Sequence, residues 1–222
     1  MSVRIDNDKY YTDQSVAYEC VKEALEAIQK VDPEFDCAFA IESAAGTGAF
    51  MKAWSAVTSN QIPCYGYDLF PEPLGVKITE RNFLDPEDKH AYTAGTIHIG
   101  NPPFGIGRER LYPKFLKSAL SESDYACFVL PMSQYDNYWR NHAQGELIFS
   151  KNLGEQKYQH RTVHCCFNVY KKWTLDNPRP KLSLYPSSQY VLEQHYINEG
   201  ITPVEYHPDL VADSSFDFNL DQ

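Results

Sequence analysis

Long apolar runs are missing from this 222-residue sequence: none approaches the roughly 18 residues that a membrane span needs. Its first residues, Met1 to Asp6, lack the apolar core of a secretory signal, so a cytoplasmic, reducing compartment is expected. Cysteine pairs are missing too. Cys20, Cys37, Cys64, Cys127, Cys165 and Cys166 form no CxxC motif and mostly sit inside apolar runs. They read as reduced core residues, against a zinc site or a disulfide framework. The seven histidines suggest nothing catalytic, and no metal is expected. There is no internal repeat and no low-complexity linker. Lys and Arg vanish after Lys181: residues 182–222 carry seven acids and no base.

What is present describes a globular chain, 43% hydrophobic and 14% aromatic. A net charge of −10 argues at first sight against a polyanionic partner. The distribution of charge argues the other way, because residues 140–181 hold eight Lys and Arg against three acids. A basic stretch suited to phosphates therefore precedes an acidic tail. Asp209, Asp213, Asp217 and Asp221 would crowd one face of a helix, so the tail reads as solvated chain or as an acidic docking segment.

Apolar residues at 16, 20, 21, 24, 25 and 28 have helical spacing, with Thr12 or Asp13 as the cap. Short apolar runs then alternate with helical stretches. Strands are expected at Cys37–Glu42, Ile62–Asp68, Thr96–Gly100 and Tyr125–Leu130, with helices at Ala49–Val57 and near Leu111–Leu120. This rhythm implies a parallel sheet with helices on both faces. Glu146–Ser150 and Thr162–Trp173 read as two strands joined by a polar loop, too close together for a helical crossover. They should form an antiparallel hairpin at the sheet edge.

Three motifs carry chemistry. Glu42-Ser43-Ala44-Ala45-Gly46-Thr47-Gly48 follows the first strand and opens a helix, and its glycines let a ligand approach the backbone. The third glycine of a dinucleotide fingerprint is absent, and Glu42 suits a cationic ligand better than a pyrophosphate. Asp68 ends the next strand, where a carboxylate can take ribose hydroxyls. The most specific motif is Gly100-Asn101-Pro102-Pro103-Phe104-Gly105, after the strand 96–100. Prolines have no N–H, so this turn presents acceptor carbonyls, and the Asn101 side chain adds another. Such a cluster can accept both hydrogens of an aryl amine and draw its nitrogen toward tetrahedral geometry. The freed lone pair can then attack a methyl sulfonium, with Phe104 as a stacking face for the base.

In order and spacing these motifs resemble the S-adenosylmethionine-dependent amino-methyltransferases of the adenine-N6 type, over roughly residues 9–173 and best among bacterial and phage DNA adenine methylases. The resemblance implies an α/β, Rossmann-like class I methyltransferase fold, a mostly parallel sheet with a terminal antiparallel strand. It implies S-adenosylmethionine as cofactor, with Tyr11 and Thr12 over it, although Asp13 replaces the family's proline and Ser43 is a further departure. Glu42, Ala44 and the Gly46–Gly48 loop would hold the methionine moiety and Asp68 the ribose. Asn82-Phe83-Leu84 resembles the segment that contacts the cofactor's adenine, with Asn82 where Asp is common. Asn101, Pro102, Pro103 and Phe104 would carry the chemistry. Tyr158 would close the other face of a flipped base and Arg161 would take a phosphate, although 157–161 also reads as a solvent-facing turn. Arg108, Arg110, Lys114 and Lys117 read either as a solvated helix face or as a cleft wall.

The expectation is a catalytic domain over 1–173 and an extension over 174–222 that is too short for a separate target-recognition domain. The expected partner is nucleic acid, DNA ahead of RNA, and no membrane. Without a recognition domain, the options are short or relaxed sequence specificity, recognition borrowed from a protein partner, or structured RNA as substrate. RNA adenine methylation, N5-methylation of a glutamine amide and a catalytically silent nucleic-acid-binding or anti-restriction subunit are the alternatives.

Overall fold

The computed structural model describes residues 11–72, 75–105, 110–137, 144–158, 161–175 and 178, with Tyr158 and Arg161 as backbone only. Every described element lies in the compact unit 1–179. The expected extension over 174–222, and the acidic tail in it, fall almost entirely outside the described residues, as does Arg108.

Asp13 caps α1 (Gln14–Val31), its carboxylate accepting from Ser15 N at 2.8 Å. That bond gives a physical reason for an acid where the resembling family has proline. Helix α1 turns Ala17, Cys20, Val21, Ala24 and Ile28 into the core. Strand β1 (Phe39–Glu42) leads into α2 (Ala49–Val57), and β2 (Cys64–Asp68) and β3 (Ile78–Glu80) follow. Then come β4 (Thr96–Gly100), α3 (Tyr112–Glu122) and β5 (Tyr125–Pro131). The hairpin of β6 (Glu146–Tyr158) and β7 (Arg161–Lys171) completes the sheet.

The seven strands order as β3-β2-β1-β4-β5-β7-β6. The first five are parallel, β7 runs antiparallel to β5, and β6 pairs antiparallel with β7 at the edge. Side chains of a strand alternate between faces, and β5 shows what each face meets. Cys127 and Val129 pack with α1 and α2 residues, including Phe50 and Trp54. Ala126, Phe128 and Leu130 pack with Phe115, Leu116 and Leu120 of α3. All six cysteines are free, four of them buried. Among the described residues no helix is long and apolar enough to cross a membrane, and no cluster of His, Cys, Asp and Glu could hold a metal.

One strand is not expected from the sequence, and one expectation needs correction. Strand β3 has no counterpart in the sequence pattern, because three residues, half-buried Ile78 and exposed Thr79 and Glu80, carry no usable period. The polar loop expected between the last two strands does not exist: β6 continues to Tyr158, leaving only residues 159 and 160 as the connection. An edge strand is held by its ladder to one neighbour and can keep polar side chains in water. Lys151, Asn152, Glu155 and Lys157 therefore give a loop-like signal inside a strand. The ladder has register shifts between Leu147 and Phe149 and between Asn152 and Gly154.

Candidate active site

The sheet changes direction of growth at β1, whose neighbours are β2 and β4. Loops leaving adjacent strands on opposite sides open a crevice at the carboxyl ends. A cleft of about 340 Å³ lies there, lined by residues that end or follow β1 (Ser43, Ala44, Gly46), β2 (Asp68, Leu69, Phe70, Glu72), β3 (Arg81 to Leu84) and β4 (Asn101, Pro103). Tyr11, Leu111 and Phe115 complete the wall.

The glycine loop is held from two directions. Gly46 has φ +52 and donates its N–H to Asp68 Oδ2 at 2.7 Å. A Cβ at Gly46 would stand 3.5 Å from the Tyr11 ring, so the ring lies over this loop. The Tyr11 hydroxyl donates to Glu72 Oε1 at 2.5 Å. Asp68 Oδ1 accepts from Phe70 N at 2.8 Å, which shapes the lip formed by half-exposed Leu69 and Phe70. A carboxylate has about four lone-pair sites, so these two bonds leave acceptor capacity for a ligand hydroxyl.

Glu42 does not line the cleft. It is buried beneath α2, accepting from Phe50 N at 3.4 Å and Met51 N at 3.0 Å. Burial pushes its carboxyl up to about 8, with the two N–H bonds opposing the rise. Its place is thus to hold the first turn of α2, whose N–H groups have no intrahelical acceptor. Gly48 also stands off the cleft, as the left-handed cap of α2 with φ +75.

At the other wall, Asn101 Nδ2 donates to Thr12 Oγ1 at 3.1 Å, joining the N-terminal segment to the proline turn. Asn101 and Pro103 face the cleft, whereas Pro102 is buried outside its lining. Phe104 differs from expectation: only 8% exposed, it packs in the core with α1 and α2 residues rather than offering a face to the cleft. Its carbonyl accepts from Leu111 N at 3.1 Å, which ties the turn to the start of α3. Arg110, Lys114 and Lys117 stand outside the cleft lining, which fits the solvated-face reading. Tyr158 and Arg161 stand opposite each other at the hairpin end, and their side chains lie outside the described residues.

Asn82 and Phe83 are where the sequence points, but the sequence gives no hint of Arg81 beside them. It is only 6% exposed, sits over the Tyr67 and Phe83 rings and pairs with Glu122 at 2.9 Å. Its Nε and Nη2 also donate to Asp88 O at 3.0 and 2.6 Å. A lone Arg at a strand end has no local signal; its partner Glu122 comes from the end of α3. Beneath Phe83 lies His98, fully buried, with ring centroids 5.2 Å apart. Burial pushes the His98 imidazole down to about 3, helped by the nearby Arg81 charge.

No protein-family model and no curated protein sequence matches the chain. Solved structures do match. A Pyrococcus horikoshii protein assigned as an RNA methyltransferase superposes with a TM-score of 0.56 at 15% identity, over 74% of this chain and 87% of its own. The fold is that of the class I methyltransferases. A Listeria monocytogenes protein assigned as a class I S-adenosylmethionine-dependent methyltransferase gives 0.57 at 14%, over 90% of this chain and 74% of its own. The methyltransferase subunit of a type I restriction-modification system from Streptococcus thermophilus gives 0.53 at 14%, over 77% of this chain and 47% of its own.

Proposed function

We propose that this chain transfers a methyl group from S-adenosylmethionine to N6 of adenine in DNA. The observation that carries the reading is that one cleft gathers Asn101 and Pro103 with Tyr11, Gly46, Asp68, Asn82 and Phe83. Those residues come from five separate stretches of chain, and the family resemblance implies a place at the site for each of them.

The cleft fits the cofactor chemically. Its volume lies in the range of about 300–1,000 Å³ in which proteins bind small ligands. The Gly46 loop under Tyr11 leaves backbone open to a ligand, Asp68 supplies acceptors for hydroxyls, and Phe83 and Leu84 supply apolar wall beside Asn82. Bound there, S-adenosylmethionine supplies an electrophilic methyl group. The chain's own part is to prepare the acceptor. The Asn101 side-chain carbonyl and the carbonyls of the proline turn accept the two amine hydrogens and draw the nitrogen out of conjugation. Thr12 holds the nitrogen end of the Asn101 amide, which orients its carbonyl end. In duplex DNA the adenine must leave the stack to reach the turn. With Phe104 in the core, Pro103 is the turn residue that offers the base an apolar face. Tyr158 and Arg161 at the hairpin end remain the proposed partners of the base and of a phosphate. The basic stretch 140–181 supports a polyanionic substrate.

The test is tritiated methyl transfer to duplex DNA, single-stranded DNA and total RNA, with Asn101→Ala alongside. N6-methyladenine in digested DNA, absent with the variant, is the expected result. Incorporation confined to RNA would move the substrate to RNA with the same turn chemistry. Cofactor binding without transfer to any polymer would point to a protein substrate or a missing partner. Absence of cofactor binding would overturn the enzyme reading and leave the silent-subunit alternative.

A further inference from the structure

The loop that leaves β5 holds an exposed aromatic that the proposed chemistry leaves unused. Strand β5 pairs with β4 on one side and β7 on the other, so the loop after Pro131 stands between the Asn101 turn and the β6–β7 hairpin. The hairpin extends past the end of β5. Beyond the rung of Pro131 with Cys165, β7 and β6 run on to Arg161 and Tyr158, roughly 13 Å at the usual strand rise. In the gap so framed, Tyr135 is 43% exposed. Its ring meets no second ring or cation, and its hydroxyl no partner, among the described residues. Exposed Tyr92, by contrast, is already engaged: its hydroxyl donates to Asp124 Oδ1 at 2.6 Å and Lys172 lies over its ring.

The loop around Tyr135 is built to hold still. Gln134 before it is fully buried, and its carbonyl accepts from Asn168 Nδ2 of β7 at 2.7 Å. Asp136 after it donates its N–H to Ser150 Oγ of β6 at 2.8 Å, and Ser150 donates in turn to Asn168 Oδ1 at 2.7 Å. Asp136 takes φ +50, a left-handed conformation that persists in a non-glycine residue where its surroundings impose it. An exposed aromatic fixed at the backbone on both sides has little ordering entropy left to lose on binding. The exposed Asp136 carboxylate repels phosphate, so the loop suits the bases of a strand rather than its backbone. Every nucleobase presents a π-face to such a ring. Tyr135 stands outside the cleft lining, so the base it meets is a neighbour of the one at the Asn101 turn.

Resting on the nucleic-acid methyltransferase reading above, we propose that Tyr135 is a stacking platform for an unstacked nucleobase that flanks the target adenine. Ser150 and Asn168 act through it as positioning residues.

The test is fluorescence-anisotropy binding of the whole chain to two labelled single strands of equal length. One is oligo(dA); the other is an abasic oligomer that carries the phosphates without bases. Wild-type protein should prefer oligo(dA). Tyr135→Ala should bind oligo(dA) about five- to a hundredfold more weakly, the worth of one stacked base, and bind the abasic strand as wild type does. Its thermal unfolding and S-adenosylhomocysteine affinity should stay at wild-type values. Tyr135→Phe keeps the ring and should bind both strands as wild type does. Ser150→Ala should weaken oligo(dA) binding in the wild type but add nothing to Tyr135→Ala, because Ser150 acts through the ring. Unchanged oligo(dA) binding by Tyr135→Ala would overturn the proposal. So would equal weakening of both strands, since the ring would then be serving the fold or the phosphates. An equal loss from Ser150→Ala in both backgrounds would overturn its positioning role. If wild type binds S-adenosylhomocysteine but neither strand, the nucleic-acid reading fails and this inference with it.

Discussion

Where β1 and β2 end, backbone N–H groups converge on carboxylates: Phe50 and Met51 on Glu42, Gly46 and Phe70 on Asp68. Where β4 ends, prolines remove the N–H groups of two successive residues, and the turn is left with carbonyls and one amide side chain. On the first side, donors gathered by acids form the wall at Asp68 and support it from behind at Glu42; the second wall is a set of acceptors with few donors nearby. This contrast suits a cleft that must hold one ligand and polarise another. It also means that the two walls should respond differently to substitution.

Asn101→Ala should separate the walls most sharply. Losing one preorganised acceptor of this kind typically costs about 100- to 1,000-fold in rate. Methyl transfer should fall that far, while S-adenosylhomocysteine affinity stays within about threefold and Tm is nearly unchanged. Rate and cofactor affinity falling together would show that the walls are not separable. Gly48→Ala attacks the turn behind the other wall, at the start of α2. A Cβ there would stand 2.3 Å from Val76 Cγ2, at φ +75, so about 1–3 kcal/mol of stability should be lost. Thermal unfolding and cofactor titration should both register it.

Stability against pH sharpens the comparison further. Glu42 sits at about 8 when folded against an ordinary 4.5, so the native state keeps a proton that the unfolded chain releases. Its contribution is complete below about 4.5 and is lost as pH rises through about 8. His98 sits at about 3 against 6.5, so its contribution is present above 6.5 and is lost as pH falls toward 3. The two trends oppose each other where the windows overlap. Denaturant midpoints of Glu42→Gln should therefore lose the decline above neutrality. Those of His98→Phe should lose part of the acid decline. Unchanged pH profiles in both variants would remove the electrostatic part of the contrast. The smallest effect is expected from Thr12→Val, which breaks the 3.1 Å link between the walls. One neutral hydrogen bond is worth about 0.5–1.5 kcal/mol, so kcat should drop a few-fold with cofactor Kd little changed.

Much of this is legible along the chain. The helical period of α1, the apolar runs of β4 and β5 and the proline turn after β4 are contiguous patterns, and each lies where the residues indicate. The fold class follows from their alternation. Legibility ends where a signal needs a distant partner. Glu42 looks like a ligand-facing acid at a strand end, yet the first turn of α2 takes both of its oxygens. Phe104 looks like a stacking face, yet the α1–α2 core takes its ring. Strand β6 looks like a loop because its polar residues satisfy an edge whose pairing depends on β7.

By itself, then, the sequence determined the order of elements apart from β3, the parallel sheet with its antiparallel end, and the acceptor-rich turn. Turn chemistry and side-chain period are local properties of a covalent chain. Only the tertiary structure decided which polar groups face the cleft and which are consumed in holding it. That choice depends on burial and on partners far apart in the chain, as when Glu122 at the end of α3 clamps Arg81 at the end of β3. No local pattern records such a meeting, because the cost of burying a charge is set by what the fold brings to it.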